Sequence, residues 1–223
     1  MMDEYVNKAL ASCPLFQGMN ALTIDLLMQH VKYRIVSFDK NDVFALAGLP
    51  CRYADIIIKG ELSARMVGLS GKYVEVSRLH SGSIVAPAFI YAHDNSMPVG
   101  VEAESYVEVL RMLPAELTHL MDIDERVRTN FIKVLSNINV FLTEKMRMLS
   151  LLTVREKVAF FILDTARRQK SETIHLDKSR QEIADMFGIQ KFSLMRSISE
   201  FADSGAIAVD GKSIIILDRS KLK

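Results

Sequence analysis

The hydrophobic period of this chain changes at Pro114 and again near Ser150, which restricts it to a mixed α+β fold built in successive segments. From Arg34 to Leu110, short β-branched runs are separated by turn residues: Tyr33–Phe38, Ala54–Lys59, Leu62–Val67, Tyr73–Leu79, Val99–Ala103 and Tyr106–Met112. Gly60-Glu61, Ser70-Gly71 and Ser81-Gly82 punctuate them at the spacing of an antiparallel barrel or roll. Ahead of these runs, Leu22, Ile24, Leu26, Leu27 and Val31 give a helical pattern.

Past Pro114 the period lengthens. Phe131, Leu135, Ile138, Leu142, Lys145 and Leu149 follow one another at alternating steps of four and three residues, the heptad spacing of one helix face. A second stripe, Val127, Phe131, Val134, Ile138 and Phe141, overlaps the first, and together they are wider than one neighbour covers. One side is expected to pack on the roll and the other on a partner helix. Phe131, Val134, Leu135, Ile138, Phe141 and Leu142 are the expected interface of a homodimer. The expected domains are therefore a roll with its N-terminal helix over 1–113, a dimerisation helix over 114–150 and a third domain over 151–223.

That third domain carries the functional motif. A helix from about Thr153 to Arg168 and a strand at Thr173–Leu176 lead into Ser179-Arg-Gln-Glu182, where a hydroxyl precedes a carboxylate by three residues and opens a helix. Ile183, Ala184 and Phe187 give its buried side, Gly188-Ile189 the turn, and Lys191–Asp203 a second helix burying Leu194, Ile198 and Phe201. Gly205 ends it. Ile207-Ala-Val209 and Lys212-Ser-Ile-Ile-Ile216 then flank Asp210-Gly211, a pair that favours a type I′ hairpin turn. Two helices, a tight turn and a hairpin form a winged helix-turn-helix, whose second helix enters the major groove of double-stranded DNA. Gln190, Lys191, Phe192, Ser193 and Arg196 are expected to meet bases, and Arg180, Gln181 and the wing residue Lys212 to meet phosphates.

Charge supports this placement. Residues 145–223 hold 15 Lys/Arg against 10 Asp/Glu, a net +5, while 1–144 hold 13 against 17, a net −4, so a polyanion is drawn to the C-terminal third. No nucleophile elbow, phosphate loop or HExxH motif is present, so an enzyme is not expected. Met1–Leu10 carries Asp3, Glu4, Asn7 and Lys8 instead of a basic, then apolar, leader, and no apolar run approaches a membrane span. A cytoplasmic location is expected. Cys13 and Cys51 lie too far apart for a zinc or four-thiolate iron-sulfur site.

Ser179-Arg-Gln-Glu-Ile-Ala-Asp-Met-Phe-Gly188, Arg196 and Gly205-Ala-Ile207 resemble the cyclic AMP receptor protein / fumarate-nitrate regulator (CRP/FNR) family. So do Pro14-Leu-Phe16, Gly60-Glu-Leu62 and Val154-Arg-Glu-Lys-Val158. The resemblance implies a cyclic-nucleotide-binding-like β-roll sensor, a long dimerisation helix and a C-terminal winged helix reading an inverted repeat, with RNA polymerase as a further partner if the protein activates. Lys191 and Arg196 fall where the family places two base-contacting cations. Phe192 departs from the pattern: the family often has a glutamate there that accepts from cytosine, and Phe cannot, so the operator should differ. A fold-retaining metabolite-binding or adaptor protein that does not read DNA is the alternative.

The resemblance also bears on the effector. Cyclic-nucleotide binders of the family carry a Gly-Glu and an Arg-Ser pair after the roll's later glycine. Here the corresponding segment, Gly82 to Ala92, lacks the Glu, and Met97-Pro98 align with the Arg-Ser positions, leaving a cyclic phosphate without a guanidinium. Cyclic AMP is not expected. The apolar run Val85–Ala92, including Phe89, resembles the branch that regulates the hybrid cluster protein under nitrosative stress, in which some members bind haem. That branch makes Met66 an expected haem ligand, with Met66, Ala86, Pro87, Phe89 and Met97 as the effector pocket. The histidine expected near Arg147 is absent; Met146, Met148, His80, His93 or His119 are the substitutes on offer.

Overall fold

A computed structural model describes residues 2–67 and 73–222. The expected Ser70-Gly71 turn lies outside them. The chain divides into two compact units, Met1–Val140 and Phe141–Lys223.

The first unit begins with helices α1 (Glu4–Ser12) and α2 (Ala21–Met28) and continues through strands β1 (Tyr33–Phe38), β2 (Val43–Ala45), β3 (Ala54–Lys59), β4 (Leu62–Val67), β5 (Tyr73–Leu79), β6 (Gly100–Ala103) and β7 (Val107–Met112). The strands form two antiparallel sheets, ordered β1-β7-β3 and β2-β6-β4-β5. Their β-branched residues fill the interior: Ile56, Ile57, Leu62, Val107, Val109 and Leu110 are buried, joined by Leu10, Leu15, Phe16 and Ile24 from the N-terminal segment. The β3–β4 corner turns at Gly60, whose φ of +84° suits glycine and whose missing side chain lets the Tyr106 carbonyl approach; a Cβ there would lie 2.2 Å from that oxygen.

Helix α3 (Pro114–Ile123) follows, then α4 (Glu125–Leu151), which continues into the second unit. The segment expected as one helix from Pro114 is thus two. Asp124 adopts an extended conformation, and its carboxylate accepts from the Arg126 backbone at 2.8 Å, which opens α4 afresh. Val127 and Phe131 of α4 belong to the roll's core, and the Asn130 amide donates to the carbonyls of Leu15 and Gln17 at 3.1 and 3.0 Å.

The second unit adds α5 (Val154–Gln169), β8 (Thr173–His175), α6 (Arg180–Met186), α7 (Lys191–Asp203), β9 (Ile207–Asp210) and β10 (Ser213–Ile216), with the antiparallel order β8-β10-β9. Thr153 and Glu156 form a reciprocal cap at the start of α5. Phe161, Ile162, Ile174, Ile183, Phe187, Leu194, Phe201 and Ile214 make a core of their own.

Candidate nucleic-acid interface and sensor cavity

The C-terminal interface is assembled by local chemistry. The Ser179 hydroxyl accepts from the Glu182 backbone at 3.2 Å, and the Glu182 carboxylate accepts from the Ser179 backbone at 2.7 Å, fixing the start of α6. The Ser179 hydroxyl and amide, both bonded to the Glu182 carboxylate, hold it below the ordinary glutamate range. The Ile189 amide then donates to the Ala184 carbonyl at 3.0 Å, closing the turn, and half-buried Ile189 packs on the core.

Helix α7 buries Leu194, Ser197, Ile198 and Phe201. At 100° per residue the opposite side carries Phe192, Met195, Arg196 and Ser199, and all four are exposed. Gln190 and Lys191 stand exposed at the N-terminal end, Ser193 is half-buried, and no side chain caps that end. The first-turn amides are therefore open to an anion. Met195 and Ser199 were not anticipated as members of this face, although their spacing of three and seven residues from Phe192 marks them. Arg196 donates to Glu200 at 2.9 Å. Glu200 also accepts from Arg155, whose guanidinium lies 4.1 Å from the Phe201 ring centroid.

The wing differs from expectation in register. Asp210 pairs with Ser213, so Gly211 and Lys212 are the two central turn residues. Gly211 has φ +54° while Lys212 is not among the residues with positive φ, the pattern of a type II′ turn with glycine first instead of the expected type I′. Lys212 is exposed at the tip.

Of the two expected phosphate contacts on α6, Gln181 is exposed and donates to Asp185 at 2.8 Å. Arg180 differs from its expectation. It is half-buried, its Nη2 donates to the Gly211 carbonyl at 3.4 Å, its Nη1 is buried without a partner, and burial lowers its pKa. It ties α6 to the wing turn and is not a free surface donor.

In the roll, the residues expected to share an effector pocket are not gathered together. A cavity of about 340 Å³ is lined by Phe44, Leu49, Cys51, Tyr53, Val85 and Met97, with Asp55 and Arg111 also on its wall. Of the five expected residues it includes only Met97. Ala86 and Phe89 pack partly buried on the core, Pro87 is half-buried, and Met66 on β4 is 52% exposed. Asp55 and Arg111 were missed; each sits inside an apolar strand run, Ala54-Asp-Ile-Ile and Val-Leu-Arg-Met112, which was the available clue. The Arg111 guanidinium lies among Tyr53, Phe44 and Phe38, with ring centroids at 4.6, 5.5 and 5.7 Å.

The expected dimer stripe on α4 also divides. Phe131 is buried, edge-on to Tyr91 at 5.8 Å, and is part of the roll instead of an interface. Val134 and Leu135 are partly buried against the same core, and Ile138 is half-buried. Phe141 and Leu142 are exposed, as are Ile132, Val140, Met146 and Leu149.

Residues 156–223 match the Crp-like helix-turn-helix domain. The C-terminal domain is thus a Crp-like helix-turn-helix. The cAMP-activated global transcriptional regulator CRP of Salmonella typhimurium is 20% identical to this chain over 164 residues, 72% of this chain and 78% of that protein. The structure of FixK2 from Bradyrhizobium japonicum is 20% identical with a TM-score of 0.59, covering 86% of this chain and 96% of that one. The c-di-GMP responsive global regulator CLP of Xanthomonas campestris is 18% identical with a TM-score of 0.62, covering 88% and 99%. These structures share the mixed sheet-and-helix fold with its C-terminal helix-turn-helix, and the relatives are regulators, not enzymes. Among the described residues no helix is long and apolar enough to cross a membrane.

Proposed function

We propose that this protein is a CRP/FNR-type transcription regulator that acts as a homodimer and binds an inverted-repeat operator in double-stranded DNA. The observation that carries the reading is the outward face of α7, where Lys191, Phe192 and Arg196 stand clear of the core beside an uncapped helix end. Two such helices in a dimer would address half-sites on the order of 34 Å apart. The exposed apolar residues of α4, Leu142, Met146 and Leu149 among them, support a partner helix as their cover. RNA polymerase is the further partner where the protein activates.

The test is fluorescence anisotropy on a duplex obtained by binding-site selection. Binding should weaken steeply with salt, because phosphate contacts release counterions. Lys191→Ala/Arg196→Ala should lose affinity by at least about tenfold. Salt-insensitive binding, or a double variant as tight as the wild type, would favour the adaptor reading.

For the effector, we propose a small amphipathic molecule in the roll cavity, whose aromatic walls and guanidinium–carboxylate pair suit such a ligand. A nitrosative-stress sensor using haem and nitric oxide is the reading drawn from the resemblance, and the residues of this chain do not fit it well. Met66 is half exposed, all five histidines are exposed, and the cavity presents an ion pair instead of an imidazole. A haem titration followed by absorbance, before and after nitric oxide and beside Met66→Ala, separates the two. A saturable Soret shift lost in the variant would restore haem. Its absence would exclude Met66 as a haem ligand, and Arg111→Met would then test the cavity, since it should abolish any effect of an amphipathic effector on DNA binding.

A further inference from the structure

Phe192 is 75% exposed at the second position of a 13-residue helix. Single exposed apolar residues are common on soluble proteins. This one is not isolated: Met195 follows one turn later on the same face and is 38% exposed, while Leu194 between them is fully buried. The helix thus turns a phenyl ring and a thioether outward together, beside Arg196.

The edge of a base pair in the major groove offers hydrogen-bond donors and acceptors and one apolar group, the 5-methyl of thymine. A phenyl ring pressed on a carbonyl oxygen or an amino group strips it of water and returns no hydrogen bond, a net cost. Pressed on a methyl, the same ring gains by burying apolar surface on both sides. We propose that Phe192, supported by Met195, is a specificity-determining residue that selects thymine in each half-site through its 5-methyl group. The proposal rests on the DNA-binding reading above.

Its position follows from helix geometry. Phe192 and Arg196 are four residues apart, about 6 Å along the axis at about 1.5 Å per residue. Base pairs repeat at about 3.4 Å, so the selected thymine lies within about two base pairs of the base that Arg196 reads.

The test uses the full chain and a duplex chosen by selection from a random library. Each thymine is replaced in turn by deoxyuridine, symmetrically in both half-sites, which removes the methyl and leaves the pairing intact. One symmetric pair of replacements is expected to weaken wild-type binding about tenfold or somewhat more, from about fourfold per lost methyl contact. In Phe192→Ala the same replacement should have no effect, while the salt dependence stays as in the wild type. The proposal is overturned if the wild type tolerates deoxyuridine everywhere, if the loss persists in Phe192→Ala, or if the selected half-site has no thymine. Failure of the underlying reading looks different: no sequence is enriched and binding does not respond to salt, and the assignment of Phe192 falls with it.

Discussion

Asp55 and Arg111 meet across the β3–β7 ladder in a two-point ion pair, Nε to Oδ1 and Nη2 to Oδ2, both at 2.8 Å. The side chains are 6% and 14% exposed, so the pair is largely desolvated. Burial pushes the Asp55 carboxyl above the ordinary carboxylate range, against the pull of the Arg111 hydrogen bonds and of Arg34. Such a pair fixes geometry more than it adds stability, but losing one member leaves the other charge stranded. Asp55→Ala should therefore destabilise the roll by about 3 kcal/mol in urea denaturation. Asp55→Leu with Arg111→Met should recover most of that loss; if the double variant is no better than the single, stranded charge is not the cause.

Gly60 gives a sharper contrast. Gly60→Ala would combine a left-handed φ with a Cβ 2.2 Å from the Tyr106 carbonyl, whereas Gly18→Ala, at φ +82°, has nothing within 4 Å. The first should cost about 3 kcal/mol or more and the second about 1 kcal/mol, compared by the same denaturant series.

Arg196 donates to Glu200 on the exposed surface of α7. An exposed pair of this spacing is worth only about 0.3–0.5 kcal/mol, and a guanidinium on guanine gains about 1–3 kcal/mol, so DNA should win the side chain. Glu200→Gln should thus tighten operator binding by roughly twofold. Weaker binding in that variant would show that Glu200 holds Arg196 in its working position.

In the proposed DNA-binding reading, Lys212, exposed at the wing tip, meets phosphates and not bases. Lys212→Ala should weaken binding to all sequences alike and lower the salt slope by about 1. A changed site preference would instead place the wing in a groove.

The capping boxes set a pH dependence. Glu182 is held below the usual glutamate range by the Ser179 hydroxyl and amide, and Glu156 likewise by the Thr153 amide and hydroxyl. Each folded pKa is depressed, so the stability it gives is present above the unfolded value and is lost as pH falls through the folded one. Melting temperature should drop between about pH 5 and pH 3, and Glu182→Gln, which can still cap without titrating, should flatten that drop. An identical slope in the variant would assign the loss to other carboxylates.

Sequence pattern was enough to locate nearly every strand of the roll, because β-branched runs and turn residues are local properties. It missed β2, which has three residues and no alternation to display, and it placed the Asp210-Gly211 turn one residue early because cross-strand register decides which residues are central. Helices α6 and α7 were legible from caps and buried spacing. Asp55–Arg111 was not, since its members are 56 residues apart and only the β3–β7 register brings them opposite. Phe131 misled for a related reason: a heptad stripe tells that a residue is buried and says nothing about by what.

Both thiols of this protein are buried, and desolvation pushes Cys13 up to about 12. Burial, and the nearby Asp55 charge after it, raise Cys51 as well. Neither offers much thiolate near neutral pH. The two natural thiols thus sit in different settings for maleimide chemistry: Cys13 is closed off in the core, Cys51 lines the roll cavity, and a cysteine introduced at exposed Ser199 should label faster than either, so that a Cys51→Ser background would let a dye report on the outward face of α7 alone.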